Sequence, residues 1–179
     1  TAQHRLREKN RMNLSRDLNK KVIAISGTPG TGKSTLAIFL KKKLGFDRLD
    51  LHQHYKKISS GYQKDKQCYN IQAKKFTQLV KDKIKHCQKG LIIDSHISHL
   101  LPKKMLNLCI ILTCSDLKQL EKRLKKRKYS TKKIRENLDS EIFQICLSEA
   151  KELKQKIIIF DTSKKTSQKQ LLLKISKSL

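Results

Sequence analysis

The sequence predicts a three-layer α/β fold built on a five-stranded parallel sheet. Three observations predict it. Short, wholly apolar, β-branched runs recur along the chain, as strands covered on both faces require. Stretches with apolar residues at helical spacing separate these runs. A dense glycine segment, "SGTPGTGKSTL" over residues 26–36, lies between the first run and the first helix. Strands that alternate with helices pair in parallel and carry helices on both faces.

Each element can be justified in turn. The first strand is "VIAIS", residues 22–26. After the glycine segment, Leu36, Phe39, Leu40 and Leu44 keep helical spacing, and Gly45 stands where a C-terminal cap belongs. "LDL" at 49–51 is a weaker second strand, and from 52 to 70 the pattern dissolves into polar residues around "SSGY". Phe76, Leu79, Val80 and Ile84 restore a helical face. "LIID" at 91–94 and "LCIILTC" at 108–114 are two more buried strands. Asp116 is placed to N-cap a helix carrying Leu117, Leu120 and Leu124, and Ile134, Leu138, Ile142, Ile145 and Leu153 predict one longer helix. "IIIF" at 157–160 is the fifth strand, and Leu171, Leu172, Ile175 and Leu179 form a closing amphipathic helix. Residues 1–20 are polar and basic and read as a tail, which leaves one domain over 21–179.

A chain of 179 residues suits one domain with a substantial core. Its formal charge of +27, from 42 basic and 15 acidic residues, attracts polyanions over long range. RNA or a ribonucleoprotein is the obvious partner. An AT-rich genome, however, yields the same lysine and isoleucine excess without selection for binding, so charge leaves both readings open. No apolar stretch approaches the ~18 residues of a membrane span, and the first residues lack the apolar centre of a secretory signal. A soluble, intracellular protein without membrane contact is expected. Cys68, Cys87, Cys109, Cys114 and Cys146 form no C-x-x-C pair and fall mostly within apolar runs, which points to reduced core thiols rather than zinc ligands.

The glycine segment carries the chemistry. Gly27, Gly32, Lys33 and Ser34 fit G-x-x-x-x-G-K-[ST], and the flanking strand and helix are the context a P-loop requires. Glycines cost conformational entropy on ordering, so the crowding of Gly27, Pro29, Gly30 and Gly32 points to a ligand. Loop N–H groups and the head of the next helix would hold polyphosphate. Lys33 would reach the β- and γ-phosphates, and Ser34 would ligate Mg²⁺. "IIDSH" places Asp94 at the end of a buried strand, where it could face the magnesium shell. His96 lies two residues on, so it shares that side if the extended conformation persists. It could orient or deprotonate a water or bond the γ-phosphate, or it could simply face solvent. His99 gives no sign of a role, and His96 and His99 lack a third metal ligand. Arg123, Arg127 and Lys128 follow the fourth strand, either as phosphate-neutralising cations or as a solvated basic face.

"GTPGTGKSTL", "IIDSH" and "RLKKRKYSTKKIRENLDSEIFQICLSEA" together resemble the adenylate kinase isoenzyme six family, over roughly residues 21–165. The resemblance implies a P-loop kinase fold of the nucleoside monophosphate (NMP) kinase type, with an NMP-binding insert near 50–71 and a short lid near 126–136. It implies ATP contacts from Gly27, Gly30, Thr31, Gly32, Lys33, Ser34, Thr35, Arg123 and Arg127, with Lys165 near the adenine. The implied catalytic set is Lys33, Asp94, His96 and Arg127, with Ser34 and Asp94 at Mg²⁺. The implied activity is ATP hydrolysis together with transfer from ATP to AMP. Its setting is maturation of the small ribosomal subunit, beside precursor rRNA and a ribosomal protein of the platform. The chain is expected to act as a monomer, in nucleus and cytoplasm if eukaryotic and otherwise in the cytoplasm. One departure stands out. The family carries an arginine in the first helix of the insert, where this chain has Lys56, and lysine cannot make a planar two-pronged clamp on phosphate. Two other readings stay open: an ATP-switched assembly module with little turnover, and a kinase for another small molecule.

Overall fold

Val22, Ile23, Ala24 and Ile25 are all buried, which only a strand covered on both faces permits. This strand, β1 (Lys21–Ser26), is the centre of the sheet in the computed structural model, which describes residues 20–64 and 68–179. On one side it pairs with β5 (Gly90–Asp94) and then β2 (Asp47–Asp50). On the other side come β6 (Leu108–Thr113) and β7 (Ile157–Asp161). The order is β2-β5-β1-β6-β7, and every pairing is parallel. The expected tail lies outside the described residues except for Lys20, whose ammonium donates to the carbonyls of Ile84 and Lys85.

Alternation along β1 assigns the two faces. Ile23 and Ile25 join Ile92, Ile110 and Phe160 beneath Leu36, Ala37 and Leu40 of α1 (Lys33–Leu44) and Ile175 of α7 (Gln168–Ser176). On the opposite face Val22, Leu91 and Ile93 pack on Phe76 and Val80 of α3 (Ala73–His86). Ala24, Cys109 and Ile111 meet Leu147 and Ala150 of α6 (Ile145–Glu152) on that same side. Each fully buried Leu or Ile contributes roughly 1.5–3 kcal/mol. Exposed pairs such as Lys125–Glu121 and Arg135–Asp139 add about 0.3–0.5 kcal/mol each. The two apolar layers therefore hold the fold.

The structure departs from the sequence reading in three places. The second strand ends at Asp50, one residue before Leu51, because Asp50 caps a 3-10 turn by accepting from the His52 N–H. The stretch that reads as patternless contains α2 (Tyr55–Ile58) and an antiparallel hairpin of β3 (Ser59–Gln63) and β4 (Cys68–Ile71). The single helix expected from Ile134 to Leu153 is two, α5 (Thr131–Ile142) and α6, broken at Gln144 with φ 49°. Ile134 packs on Leu120 and Leu124 of α4 (Leu117–Lys126), whereas Leu147 packs on the sheet. One straight helix cannot reach both surfaces. Lys128, Gln144 and Lys154, just beyond α4, α5 and α6, are the described non-glycine residues with left-handed backbone.

Candidate active site

Parallel sheets present ligands at the carboxyl ends of their strands. Ile25 of β1 stands in register with Asp94 of β5, Asp94 with Asp50 of β2, and Thr113 of β6 with Asp161 of β7. The glycine loop leaves β1 at this edge. Gly27 has φ 135°, and a Cβ there would lie 2.2 Å from the Leu112 carbonyl oxygen, so no other residue fits. The Thr31 hydroxyl donates to the Thr28 carbonyl at 2.8 Å and tightens the loop. Gly32, also left-handed, precedes α1. The N–H groups of Lys33, Ser34 and Thr35 begin the helix and have no acceptor within it.

The Lys33 side chain folds back across the loop and donates to the carbonyls of Gly27 at 2.7 Å and Thr28 at 2.9 Å. Burial lowers its pKa to about 8. Asp94 is buried, and its Oδ2 accepts from Arg48 Nη2 at 2.5 Å and Nε at 3.1 Å. The same Nη2 reaches Asp50 Oδ2 at 3.0 Å. Arg48 is a site residue that sequence reasoning missed. Its signal was the run "DRLD", which puts Arg48 and Asp50 on one face of a strand end.

His96 is the most strongly shifted imidazole near the loop. Burial, then the charge of Lys33, pushes its pKa down to about 3, so it is neutral across the physiological range. The Tyr55 hydroxyl lies 3.2 Å from His96 Nδ1 and 3.2 Å from Ser95 Oγ. Burial pushes the Tyr55 phenol up to about 12, so it keeps its proton. A phenol donating to Nδ1 leaves the imidazole hydrogen on Nε2.

His99, unremarkable in sequence, is buried against the root of the loop. Its Nδ1 lies 2.6 Å from Ser26 Oγ and its Nε2 lies 2.8 Å from Glu149 Oε2, while Ser26 Oγ donates to the His96 carbonyl at 2.9 Å. One imidazole thus ties the end of β1, the His96 turn and α6 together.

Two cavities flank the loop. One, of about 650 Å³, is walled by Thr35, Phe39, Arg123, Phe160, Thr162 and Lys164. Arg123 donates to Thr162 Oγ1 at 3.2 Å and to the Gly30 carbonyl at 3.4 Å, pinning α4 to the segment after β7. Burial pushes the Asp161 carboxyl up, but hydrogen bonds from Ser115 and Ser163 outweigh it and hold the pKa well below the usual range. Lys165 does not line this cavity, although Lys164 and Thr166 do. The other cavity, of about 630 Å³, takes in Lys33, Ser34, Asp94 and His96. Tyr55, Tyr62, Tyr69 and Tyr129 also line it, with ring centroids 5.8 Å apart for Tyr55–Tyr69 and 5.0 Å for Tyr62–Tyr69. Lys56 is exposed and does not line it. Cys68 and Cys146 are only half-buried and open onto this cavity, unlike the buried thiols of Cys87, Cys109 and Cys114. Gly32 and Arg127 belong to both cavities.

Among the described residues no three His, Cys, Asp or Glu side chains gather as a metal cage. The hydroxyl of Ser34 and the carboxylate of Asp94, hard oxygen donors on one cavity, fit magnesium that arrives with substrate phosphates and water.

A glycine loop closed over a lysine at the head of α1, with an aspartate ending the adjacent parallel strand, defines a P-loop phosphotransferase that uses nucleotides. A family model described as an AAA domain matches residues 23–144. The Dictyostelium discoideum protein named adenylate kinase isoenzyme 6 homolog is 35% identical over 151 residues, 83% of each chain. The chain belongs to the adenylate kinase isoenzyme 6 family. Solved structures carry the same fold. Shikimate kinase from Acinetobacter baumannii in complex with shikimate superposes with TM-score 0.57 at 14% identity, covering 93% of this chain and 99% of that one. Deoxyadenosine kinase from M. mycoides with bound dCTP gives 0.52 at 18% identity, covering 88% and 100%.

Proposed function

We propose that the protein transfers the γ-phosphoryl group of magnesium-bound ATP to AMP, or to water when no acceptor is bound. The observation that carries this reading is the pair of cavities joined at Gly32 and Arg127. ATP would lie along Thr35, Arg123 and Thr162, with its polyphosphate threading the loop N–H groups into the second cavity. Lys33 would exchange the carbonyls of Gly27 and Thr28 for phosphate oxygens, and Arg127, at the junction, would neutralise charge on the group in transit. Magnesium held by Ser34 and Asp94 supplies charge neutralisation at the phosphates when bound.

The described residues between 50 and 71 form the acceptor side in this reading, with Tyr55, Tyr62 and Tyr69 as faces on which a planar base can stack. The corner at 126–136 is the lid that brings Arg127, Lys128 and Tyr129 over the reacting atoms. His96, neutral and of low basicity, orients the attacking oxygen through Nε2–H and is a poor proton acceptor. The maturation setting that the family resemblance implies is supported by the charge of +27, which favours a polyanionic environment.

A second reading, an ATP-switched binding module, draws on Phe143, 69% exposed beside exposed Ile142 and Ile145 at the far end of the helix whose Glu136 and Asn137 line the acceptor cavity. Phosphate release and ADP formation from Mg-ATP, with and without AMP, decide between them. Turnover that AMP diverts into ADP and Lys33→Ala removes supports the transferase. Tight nucleotide binding without turnover supports the module.

A further inference from the structure

We propose that the groove between α1 and α3, along the free edge of β2, binds the phosphodiester backbone of a nucleic acid, and that Arg48 couples this binding to Asp94. The groove stands apart from both cavities of the P-loop. β2 ends the sheet order, so one of its edges has no strand partner. A depression of about 690 Å³ opens there, lined by Lys41 and Lys42 from α1, Arg48 and Asp50 from β2, His54, and Lys83 from α3. Lys41, Lys42 and Lys83 are exposed, and none meets a carboxylate among the described residues. Asp50 is the acid lining the groove, and it is already held by Arg48. Three ammonium groups from two helices thus face one depression whose one acid, Asp50, is paired with Arg48.

The lining also selects among anions. It offers no aromatic ring except His54, so it has no platform on which bases stack. Burial, then the charges of Lys83 and Lys57, lowers the His54 pKa, so that ring adds no charge at neutral pH. With Ile38 and Leu49 as its apolar lining, the groove offers little apolar surface for peptide anchors. Repeated phosphates are what such a surface recognises, irrespective of base sequence. The overall charge of +27 steers the same ligand towards it.

Arg48 belongs to the groove and to the active site at once. Its guanidinium lines the depression while its Nη2 and Nε hold Asp94 Oδ2. A backbone phosphate entering the groove competes for those donors. The guanidinium shared with that phosphate loosens its hold on Asp94, which lines the acceptor cavity and becomes more available to magnesium. The binding half of this proposal is independent of the proposed phosphotransfer, whereas the coupling half rests on it. Linkage makes the coupling reciprocal: nucleic acid tightens Mg-nucleotide binding by the same factor as Mg-nucleotide tightens nucleic acid binding.

The test is fluorescence anisotropy with a labelled 12-nucleotide RNA and the DNA of the same sequence, across a salt series. Both probes should bind alike. The log-log salt slope should be about −2, as neutralising roughly three phosphates, with ~0.7 counterion released at each, requires. Lys41→Glu with Lys42→Glu and Lys83→Glu should weaken binding at least tenfold and flatten the slope. Lys122→Glu with Lys151→Glu and Lys156→Glu, an equal charge change at exposed positions off the groove, should change affinity less than twofold. Equal weakening by both triple variants overturns the groove, as does a tenfold preference for RNA over DNA. Displacement by an acidic peptide at matched charge also overturns it.

Affinity for a non-hydrolysable Mg-ATP analogue, measured by calorimetry, should rise at least threefold with RNA present, and Arg48→Gln should abolish that rise. An unchanged affinity overturns the coupling while the groove stands. No analogue binding at all defeats the active-site reading instead.

Discussion

The two cavities that meet at Gly32 are built by different means. The side proposed for ATP rests on backbone at a loop whose conformation only glycine permits and at a helix head with open N–H groups, and Arg123, clamped to Thr162 and Gly30, walls it. The side proposed for the acceptor is walled by side chains, with Tyr55, Tyr62 and Tyr69 carried on a short helix and a hairpin that is mostly exposed. Backbone sites are fixed by sterics and tolerate little change. A site of aromatic side chains can change its ligand one residue at a time.

That contrast can be broken or sharpened by experiment. Lys33→Ala should act on both sides at once, lowering hydrolysis and transfer to AMP alike by about 10²–10³-fold, since one charged donor at the transferring group is lost. A loss confined to transfer, seen by chromatography of ADP against free phosphate, would separate the cavities more than their shared residues allow. Gly27→Ala should destabilise the fold by at least about 3 kcal/mol in urea unfolding, because left-handed strain adds to overlap with the Leu112 carbonyl. Tyr69→Ala should raise the KM for AMP about tenfold and leave acceptor-free hydrolysis within twofold, as the loss of one stacking face predicts. An equal fall in hydrolysis would show that the aromatic wall serves the nucleotide as well.

The effect of pH is small near neutrality. Lys33, ordinarily titrating near 10.5, titrates near 8 in the free protein. Below pH 8 its ammonium is ready for phosphate. Above it, nucleotide binding must take up a proton, so affinity falls as pH rises, towards tenfold per unit well past the pKa. Isothermal titration of the Mg-ATP analogue from pH 6.5 to 9.5 checks this, and Lys33→Arg should flatten the profile. With its pKa near 3, His96 should contribute no limb between pH 5 and 8.

What was legible in sequence follows the same division. The central strands could be read because burial on both faces demands unbroken apolar runs, and "KVIAIS" and "LCIILT" supply them. The P-loop could be read because its residues are consecutive. The hairpin could not, because β3 is largely exposed and its Tyr62 meets Tyr69 of β4, a partner that local periodicity does not reveal. Arg48 binds a carboxylate 46 positions away, and Ser26 meets His99 across 73. Such pairs are set by strand order, which is a property of the whole sheet. The break at Gln144 was hidden for a related reason: Ile142 and Ile145 extend an apolar stripe although both are exposed.

Lys128, Gln144 and Lys154 hold three successive helix exits in a conformation that suits glycine better. This unrelieved tension leaves headroom for engineering a hardier protein. Lys154 lines neither cavity, so glycine at 154 should release about 1 kcal/mol and raise the melting temperature without altering turnover. Lys128 lines the acceptor cavity, and glycine there would exchange durability for a slacker enclosure around the reacting groups. A thermostabilisation campaign should therefore begin at 154.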